Sequence, residues 1–532
     1  MEKQKVSEKW LEMQRRFLTE EAFVEISIGV TETGVQDDAE SSAKDNLFFA
    51  DVASVTNVDS DKTARQQETT LEHNFWILDG NQLPVNDGEK VSNSGYIGLG
   101  VLTIDFSEVH NFLLPGIVIT WSETFGEYAT SFTVTAKNND TVVGQTTVTD
   151  NNSTQTVVDI DLYGYNQIVI SVNEWSIPGH FARIESVYIG HVLVFAKNDL
   201  VSYEHSSIGD LFSGELPKNE IKFTINNIDG RWNPSNAKGA TRYLSEQQMA
   251  NVRYGFFVDG GVEWIKGGRF HLNEWTASSN GIEASFSARD VFDFMIDKTY
   301  LGSDETRTLY DVVVDAFDQA EVADTVLYAD EVLKNYSAVF DGEDLSIAEV
   351  IQYCSNASKC VMYQDRDGNL HVEPLEIALS DIEITSDFEF GYPEITLSKP
   401  LRNVIVKYGE NQTYTHRFGN AGEDQTITNE YISNENQAKE IAEYTANLLG
   451  VREMIDVDFR ADPRIDVYDV LMIPGKYGIV AGIVTEITYK FSGAFHGTMK
   501  CQRTDFDDIL LVTFDDYYLE TADGFLLAAS AY

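Results

Sequence analysis

Short segments in which apolar and polar residues alternate recur along most of this 532-residue chain. A β-strand places successive side chains on opposite faces, so this alternation predicts strands with one buried face. The strongest examples are residues 23–30, 117–121, 131–136, 154–160 and 167–172. Asn and Asp residues fill several of the gaps between them, as tight turns require. The pattern therefore predicts a mainly β chain built from antiparallel sheets.

Helical spacing of apolar residues is confined to a few places, including residues 7–18, 306–357 and 433–449. In the second of these, Ser346 and Glu349 form a capping-box pattern. The length of the chain exceeds one ordinary core, and domains of about 150 residues are typical. The predicted fold class is therefore mainly β and multidomain (α+β).

The predicted segments follow these changes in periodicity. They are an N-terminal helix with the first strands (1–60), an inserted antiparallel jelly-roll sandwich (61–198), the remainder of the first β-domain (199–300), a small α/β segment (301–380), a second β-domain (381–505) and a C-terminal extension (506–532). The polar residues 31–45 are expected to form a loop. The C-terminal extension is expected to be either an extra hairpin or flexible.

The chain carries 38 basic and 86 acidic residues, a formal net charge of -48. Binding to a nucleic-acid backbone requires clustered Lys and Arg, and no basic run of useful length occurs. The composition therefore disfavours specific nucleic-acid binding. An acidic wall beside passing DNA remains compatible with the charge, because repulsion would keep the polymer from adhering.

The three cysteines, Cys354, Cys360 and Cys501, form no C-x-x-C pair and lie near no histidine cluster with zinc spacing. They are interpreted as buried apolar residues or free thiols. The N-terminus lacks the apolar core of a signal peptide, and no run of about 18 apolar residues occurs. We therefore expect no membrane-spanning segment.

The sequence contains no compact catalytic pattern. Its nine histidines lie outside H-E-x-x-H and triad-like contexts, and glycine fingerprints of nucleotide sites are absent. Carboxylates are too numerous for adjacency to indicate general acid and base chemistry. Residues 365–369 resemble part of a calcium loop but lack the distal Glu, so a hairpin turn is favoured. The sequence predicts no catalytic residues, no metal site and no cofactor.

One set of residues within 61–198 could bind a glycan, because sugars pack on aromatic faces and pair with planar polar groups. The set consists of Trp76, Asp79, Trp121, Glu123, Tyr128, Trp175, His180 and Arg183. The alternative is that the tryptophans belong to the core of the sandwich. Their positions on predicted strands favour that alternative.

Several segments resemble tail-tip hub and tail-associated (baseplate hub-like) proteins of phages and prophages of Gram-positive bacteria. Residues 71–80, 115–121, 126–134 and 174–184 resemble the discoidin-like or carbohydrate-binding-like sandwich inserted in such proteins. The framing segments that resemble the hub itself are residues 216–227, 267–275, 286–290 and 462–470. The likeness covers most of residues 20–505, and its motifs are structural rather than catalytic.

The resemblance implies two β-barrel-like hub domains with the helical segment between them. It also implies a homotrimeric ring at the virion tail tip, assembled in the host bacterial cytoplasm, which closes the tail tube and opens for DNA passage. Implied partners are the distal tail protein, the tape-measure protein and receptor-binding or fibre proteins. Many relatives continue into a fibre or a cell-wall hydrolase, whereas this chain stops about 25 residues after the second β-domain. We therefore expect host binding or wall digestion to lie mainly in other proteins.

Two other functions remain open. One is a carbohydrate-binding adhesin, which predicts a monomer whose affinity for a host cell-surface glycan depends on Trp76 or Trp121. The other is a hydrolase of cell-wall or capsule glycan, which predicts release of reducing sugars. A structural, non-enzymatic tail-tip protein is the favoured interpretation.

Overall fold

The structure of the protein is a computed structural model. It describes residues 4–15, 22–31, 35–44, 49–52, 91–92, 95–96, 101–121, 126–177, 182–184, 186–196, 199–236, 239–258, 260–278, 281–322, 325–340, 345–380, 382, 384, 391–409, 411–476, 478–504, 508–510 and 528–530. Across these residues strands far outnumber helices and form several antiparallel sheets, which confirms the mainly β, multidomain prediction.

The described helices are short and lie mainly between residues 291 and 450. They are α1 (Glu8–Arg15), α2 (Val35–Asp38), α3 (Val291–Ile296), α4 (Leu309–Ala320), α5 (Ile347–Ala357) and α6 (Glu435–Gly450), with two 3-10 turns, η1 (Ala240–Tyr243) and η2 (Glu331–Asn335). None of the described helices is long and apolar enough to cross a membrane.

The strands of the N-terminal part are β1 (Ala22–Val30), β2 (Ala39–Lys44), β3 (Phe49–Val52), β4 (Val91–Ser92), β5 (Gly95–Tyr96), β6 (Val101–His110), β7 (Leu114–Thr120), β8 (Ala129–Asn138), β9 (Thr141–Val148), β10 (Gln155–Leu162), β11 (Tyr165–Trp175), β12 (Ala182–Ile184), β13 (Ser186–Ile189) and β14 (His191–Ala196). All four of the segments predicted between residues 117 and 172 are strands.

The later strands are β15 (Leu200–Ile208), β16 (Lys218–Asn226), β17 (Met249–Val258), β18 (Gly261–Ala277), β19 (Glu283–Arg289), β20 (Ser303–Thr308), β21 (Leu327–Ala329), β22 (Ser337–Phe340), β23 (Cys360–Gln364), β24 (Leu370–Pro374), β25 (Glu394–Leu397), β26 (Leu401–Tyr408), β27 (Gln412–Arg417), β28 (Glu423–Thr428), β29 (Glu453–Phe459), β30 (Val470–Gly475), β31 (Gly478–Phe491), β32 (Phe495–Arg503), β33 (Asp508–Leu510) and β34 (Ala528–Ser530).

The chain divides into two compact units. The first comprises Met1–Ile26, Phe195–Ile228 and Ala250–Tyr532, and the second comprises Ser27–Val194 and Asp229–Met249. In sequence, the second unit therefore interrupts the first twice.

The second unit contains two antiparallel sheets, ordered β2-β6-β11-β8-β9 and β10-β7-β13. Alternate residues of β8 and β11 are buried, as the sequence pattern predicts. Trp121, which follows β7, packs against Phe132 of β8 and Trp175 of β11, with ring centroids 4.9 and 5.8 Å away. The two sheets therefore share an aromatic core, which makes this part of the unit a sandwich.

The first unit is built on a long sheet whose strands run β17-β18-β19-β16-β15-β31-β32-β29-β25, with β30 paired to β31. Strand β15 pairs antiparallel with both β16 and β31. Strand β15 therefore lies between β16, which follows it closely in sequence, and β31, which lies about 280 residues later. The ranges 199–300 and 381–505 both contribute strands to this one sheet.

The helical part of the first unit has its own apolar core, which includes residues of α3 to α6 together with β23, β24 and β26. The predicted capping box of α5 is confirmed, since the Ser346 hydroxyl accepts from the Glu349 amide at 3.3 Å. The Ser346 amide donates to the Glu349 carboxylate at 2.9 Å. These bonds satisfy amides that the first turn of a helix leaves without partners.

The prediction of a loop at residues 31–45 is wrong, because α2 and β2 form there. Strand β2 pairs with β6 in the register Ala39 opposite Phe106, so a polar segment with little apolar content is held by backbone pairing. In the C-terminal extension, β33 and β34 pair antiparallel, as the hairpin alternative predicts.

Candidate functional site

A buried polar cluster lies in the first unit where the hub-like segments meet. We call it the polar junction, and it consists of Tyr203, His205, Asn219, Tyr254, Arg366, Asp462, Arg464, Asp466 and Tyr489. Two arginines and two aspartates give it balanced charge. Its members come from β15, β17, β31, the start of β16, the β23–β24 turn and the loop between β29 and β30.

Arg366 is the central side chain of the polar junction, and only 9% of it is exposed. Its Nη2 and Nε atoms donate to the two carboxylate oxygens of Asp466 at 2.8 and 2.9 Å. Its Nη1 donates to the backbone oxygen of Lys266 at 2.8 Å. Because a planar guanidinium bonds a carboxylate at two points, this pair fixes both position and orientation. The β23–β24 turn is thereby attached to β18 and to the loop before β30.

The residues around Arg366 form a hairpin turn, as the sequence predicts. The Asp365 carboxylate accepts from the amides of Asp367 and Asn369 at 2.9 and 2.8 Å. Gly368 has a φ of +87°, a conformation that other residues rarely adopt. The carboxylate of Asp365 therefore closes the turn. Among the described residues, no group of three or more His, Cys, Asp or Glu could hold a metal ion.

The loop of residues 462–470 is held by its own polar contacts. Arg464 and Asp462 form a buried ion pair, with Nη2 2.5 Å from Oδ2. The hydroxyl of Tyr489 donates to the backbone oxygen of Ile465 at 2.6 Å. Tyr468 has a φ of +70°, and its ring lies against Gly209, where an added Cβ would be 2.7 Å away. Gly209 is therefore required by close packing.

His205 connects the polar junction to neighbouring strands. Its Nε2 lies 2.7 Å from Oδ1 of Asn219 and its Nδ1 lies 2.7 Å from the Tyr254 hydroxyl. Burial lowers the pKa of His205 to about 4, so the ring is neutral near pH 7. Since Oδ1 of Asn219 can only accept, Nε2 carries the proton and Nδ1 accepts from Tyr254. Burial also raises the pKa of the Tyr254 and Tyr203 hydroxyls, so both remain protonated.

Asp290, at the end of the segment 286–290, caps α3. Its Oδ1 accepts from the amides of Phe292 and Asp293 at 3.1 and 3.4 Å. The side chain of Gln364 continues this arrangement, accepting from the Val291 amide at 2.7 Å and donating to the Arg269 oxygen at 2.6 Å. Burial raises the pKa of Asp290 to about 7.

The raised pKa of Asp290 predicts a specific pH dependence of stability. The folded state binds this proton more tightly than the unfolded state, in which the carboxyl has its ordinary pKa of 3.8. Its stabilising contribution is therefore complete below about pH 4 and is lost as pH rises through about 7. We expect Asp290→Asn, which keeps the cap without the charge, to gain on the order of 3 kcal/mol relative to the parent between pH 4 and pH 8. Denaturant unfolding at several pH values measures this difference.

Asp297→Asn, at the exposed carboxylate that follows the same helix, is the matched control. It should follow the pH profile of the parent protein. If Asp290→Asn also follows the parent profile, then the proton on Asp290 does not contribute to stability.

The three cysteines are buried free thiols, as predicted. Burial raises the pKa of Cys360 to about 12, and it raises the pKa of Cys354 and Cys501 further. A thiol held protonated is a poor nucleophile. The side chains of the polar junction are likewise engaged with one another, so this arrangement can hold strands in register.

The structure describes only part of the predicted glycan-binding set. Trp121 and Trp175 are 0% and 1% exposed. Their ring nitrogens donate to the Thr156 hydroxyl and the Glu127 carboxylate, both at 2.9 Å. Sugar binding on an aromatic face requires an open face, and these two rings lie in the core. Their positions agree with the core alternative.

Of the remaining members of the set, the structure describes Tyr128 and Arg183. Tyr128 is partly buried beside β8, and its amide donates to the Ser176 hydroxyl at 3.0 Å. Arg183 lies on β12. Trp76, Asp79, Glu123 and His180 lie outside the described residues. Glycan binding by this set stays a prediction.

Comparisons with known proteins give structural likeness only. No protein-family model matches the chain, and no curated protein matches it. Several solved structures, however, resemble the chain. A 43 kDa tail protein of prophage MuSo2 from Shewanella oneidensis has a TM-score of 0.41 at 9% identity, covering 58% of this chain and 94% of that one.

Two further solved structures have similar values. The tail protein from Neisseria meningitidis MC58 has a TM-score of 0.40 at 13% identity, covering 58% of this chain and 94% of that one. Prophage tail protein gp18 from Listeria monocytogenes EGD-e has a TM-score of 0.39 at 10% identity, covering 58% of this chain and 91% of that one. Likenesses at this level of identity do not establish a shared activity.

The sequence indicated parts of the polar junction but not the junction itself. Asn219, Asp462, Arg464 and Asp466 lie in the segments that resemble hub proteins. His205 and Arg366 carried no signal, because nothing local distinguishes a buried histidine or arginine from a surface one. A charged residue in a hairpin turn is ordinarily exposed. The pairing of Arg366 with Asp466, which lies 100 residues later, was therefore not predictable.

Proposed function

We propose that this chain is a structural hub protein of a phage tail tip or of a related tail-like particle. Three copies form a ring that closes the tail tube, connects it to receptor-binding parts and opens for DNA passage. The distal tail protein, the tape-measure protein and fibre proteins are the proposed neighbours. In this role the chain acts by assembly rather than by catalysis, and its place is the virion tail tip.

The observation that carries the proposal is the convergence of the hub-like segments. Residues 216–227, 267–275, 286–290 and 462–470 are separated by up to about 250 residues, yet all contribute to the polar junction or to contacts beside it. Segments that resemble hub proteins therefore share one structural task, which is to fix a long sheet. A rigid sheet suits a ring that must keep its shape under load.

The net charge of -48 supports a conduit role in the same proposal. Carboxylates that face the central channel would repel the DNA backbone and keep it mobile during ejection. A basic channel wall in the assembled ring would contradict this part of the proposal.

The mass of the purified full chain tests the proposal. We expect light scattering after size exclusion to give three copies of the 59.7 kDa chain, and negative-stain images to show rings with a central hole. Co-purification with the distal tail protein encoded beside it would extend the result. A stable monomer that hydrolyses wall or capsule glycan would refute the proposal. Genes for a tape-measure protein and a distal tail protein immediately upstream would support it independently.

A further inference from the structure

Three aromatic rings are stacked across the small sheet of the first unit that is ordered β21-β24-β23. Tyr328 of β21, His371 of β24 and Tyr363 of β23 occupy opposed register positions. The rings of Tyr363 and His371 lie 4.9 Å apart at an angle of 2°, and the rings of His371 and Tyr328 lie 4.8 Å apart at 25°. We call these residues the aromatic stack. Its repeat matches the spacing of neighbouring strands, about 4.8 Å, because each strand contributes one ring.

The inner end of the aromatic stack is fixed by the rest of the unit. Tyr363 is 5% exposed, and its ring centroid lies 5.8 Å from that of Tyr468 in the loop before β30. The Tyr363 hydroxyl donates to the Glu373 carboxylate at 2.6 Å. Nε2 of His371 lies 3.0 Å from Oδ2 of Asp365, and this nitrogen carries the proton because a carboxylate only accepts. Two of the three rings are therefore held in orientation.

The outer end of the aromatic stack lies on an edge strand. Among the described residues, β21 pairs with β24 on one side and with no strand on the other. The side chains of Tyr328 and Val326 are 50% and 51% exposed. The oxygen of Val326 and the amide of Asp330 are bonded to β24, each at 2.9 Å. Because backbone groups alternate in direction along a strand, those of Leu327 and Ala329 point away from β24, where a further strand can pair with them.

Carboxylates lie beside the aromatic stack. Asp330 follows Tyr328 by two residues and so lies on the same face of β21. Continuing the register of β21 and β24 by one residue places Asp330 opposite Glu373. Burial raises the pKa of the Tyr363 hydroxyl, and the Glu373 and Asp365 carboxylates raise it further. A group that approaches the open face of Tyr328 therefore meets a negative potential.

We propose that β21 is the docking edge for an extended, arginine-containing strand of a partner protein. An added strand places one side chain about 4.8 Å beyond Tyr328, at the next position of the stack. A guanidinium is planar and stacks on aromatic faces, and here the carboxylates of Asp330 and Glu373 offset its charge. Antiparallel addition, the slightly more stable arrangement, pairs the residues on either side of the arginine with Leu327 and Ala329.

Charge distinguishes this partner from two others. A second copy of the chain carries the same net charge of -48, so a negative edge does not attract it. A nucleic-acid base could stack on Tyr328, but its phosphates would be repelled by Asp330 and Glu373. The inference goes beyond the hub proposal, because it depends on one edge of a single chain and not on a ring.

The test uses the full chain and saturation-transfer NMR with capped pentapeptides of sequence Thr-Val-Xaa-Val-Thr, in which Xaa is arginine, glutamine or glutamate. We expect the Kd of the arginine peptide to be about fivefold lower than that of the glutamine peptide, with the glutamate peptide weakest. N-methylation of both valines in the arginine peptide should abolish binding, because those amides pair with Leu327 and Ala329. This comparison leaves the protein unchanged.

Substitutions in the protein locate the peptide. Tyr328→Ala and Glu373→Gln should each raise the Kd of the arginine peptide about fivefold. Tyr392→Ala and Glu394→Gln are the matched controls, because they remove an exposed ring and an exposed carboxylate at and before β25. Both controls should leave the Kd unchanged. Circular dichroism of each variant confirms that its fold is intact.

The inference is overturned if the arginine peptide does not bind at millimolar concentration or binds no better than the glutamine peptide. It is also overturned if N-methylation leaves the Kd unchanged, which excludes strand addition. A Kd that depends on Tyr392 and not on Tyr328 would place the peptide at β25 and have the same consequence. Light scattering on the same samples reports the trimer separately, so failure of peptide binding and failure of the hub proposal are distinguishable.

Discussion

Replacing Arg366 by methionine is expected to lower the free energy of unfolding of the first unit by about 3 kcal/mol. The change leaves the Asp466 carboxylate and the Lys266 carbonyl without their donor. Breaking a buried ion pair is costly because the remaining charge keeps its desolvation penalty. Asp466 is 23% exposed, so water offsets part of the loss and places the effect at the lower end of the usual range. Denaturant unfolding measures the change.

Lys222→Met provides the matched control for Arg366→Met. Lys222 pairs with Glu220 at 2.8 Å, but 59% of its side chain is exposed. Surface pairs of this kind contribute about 1 kcal/mol or less. Hydrogen exchange should also quicken in residues 462–470 of Arg366→Met and not in the control. Equal, small effects of both substitutions would mean that the polar junction does not stabilise the unit.

Trp121→Ala is expected to destabilise the sandwich of the second unit by about 3–5 kcal/mol. The fully buried ring packs on Phe132 and Trp175, and its removal leaves a cavity between the two sheets. The Thr156 hydroxyl also loses its donor. Hydrogen exchange followed by mass spectrometry across residues 101–177 measures the loss, because the substitution removes a fluorophore and complicates fluorescence.

Trp121→Phe keeps most of the apolar volume and should cost less than Trp121→Ala. The comparison also separates the two interpretations of this residue. A ring that serves only to bind sugar would tolerate both substitutions without loss of stability. A fold unaffected by Trp121→Ala would therefore contradict the core assignment.

Local pattern predicted many of the individual elements. The alternation in residues 131–136 and 167–172 corresponds to strands β8 and β11, and the capping box at Ser346 begins α5. The hairpin of β23 and β24 follows from its Asp-Gly turn. These features depend on neighbours within a few residues, which is why the sequence could reveal them. Residues 39–44 were missed because their polar composition hides a strand that is held by pairing with β6.

The candidate site was less predictable than the elements. The aromatic residues of the glycan-binding set attracted attention because tryptophan serves both cores and sugar sites, and Trp121 and Trp175 prove to be core. The polar junction was missed as a unit because its residues come from positions 203, 205, 219, 254, 366, 462–466 and 489. No spacing along the chain brings those positions together.

The sequence by itself determined the mainly β fold class, because side-chain alternation and turn residues act over a few positions and leave little choice except β-strands. The net charge of -48 also disfavours binding to a nucleic-acid backbone. Tertiary structure alone decided that β15 joins β16 to β31, and that Arg366 meets Asp466. Strand pairing and ion pairing across such distances depend on which surfaces are buried together, and burial is a property of the whole fold rather than of any segment.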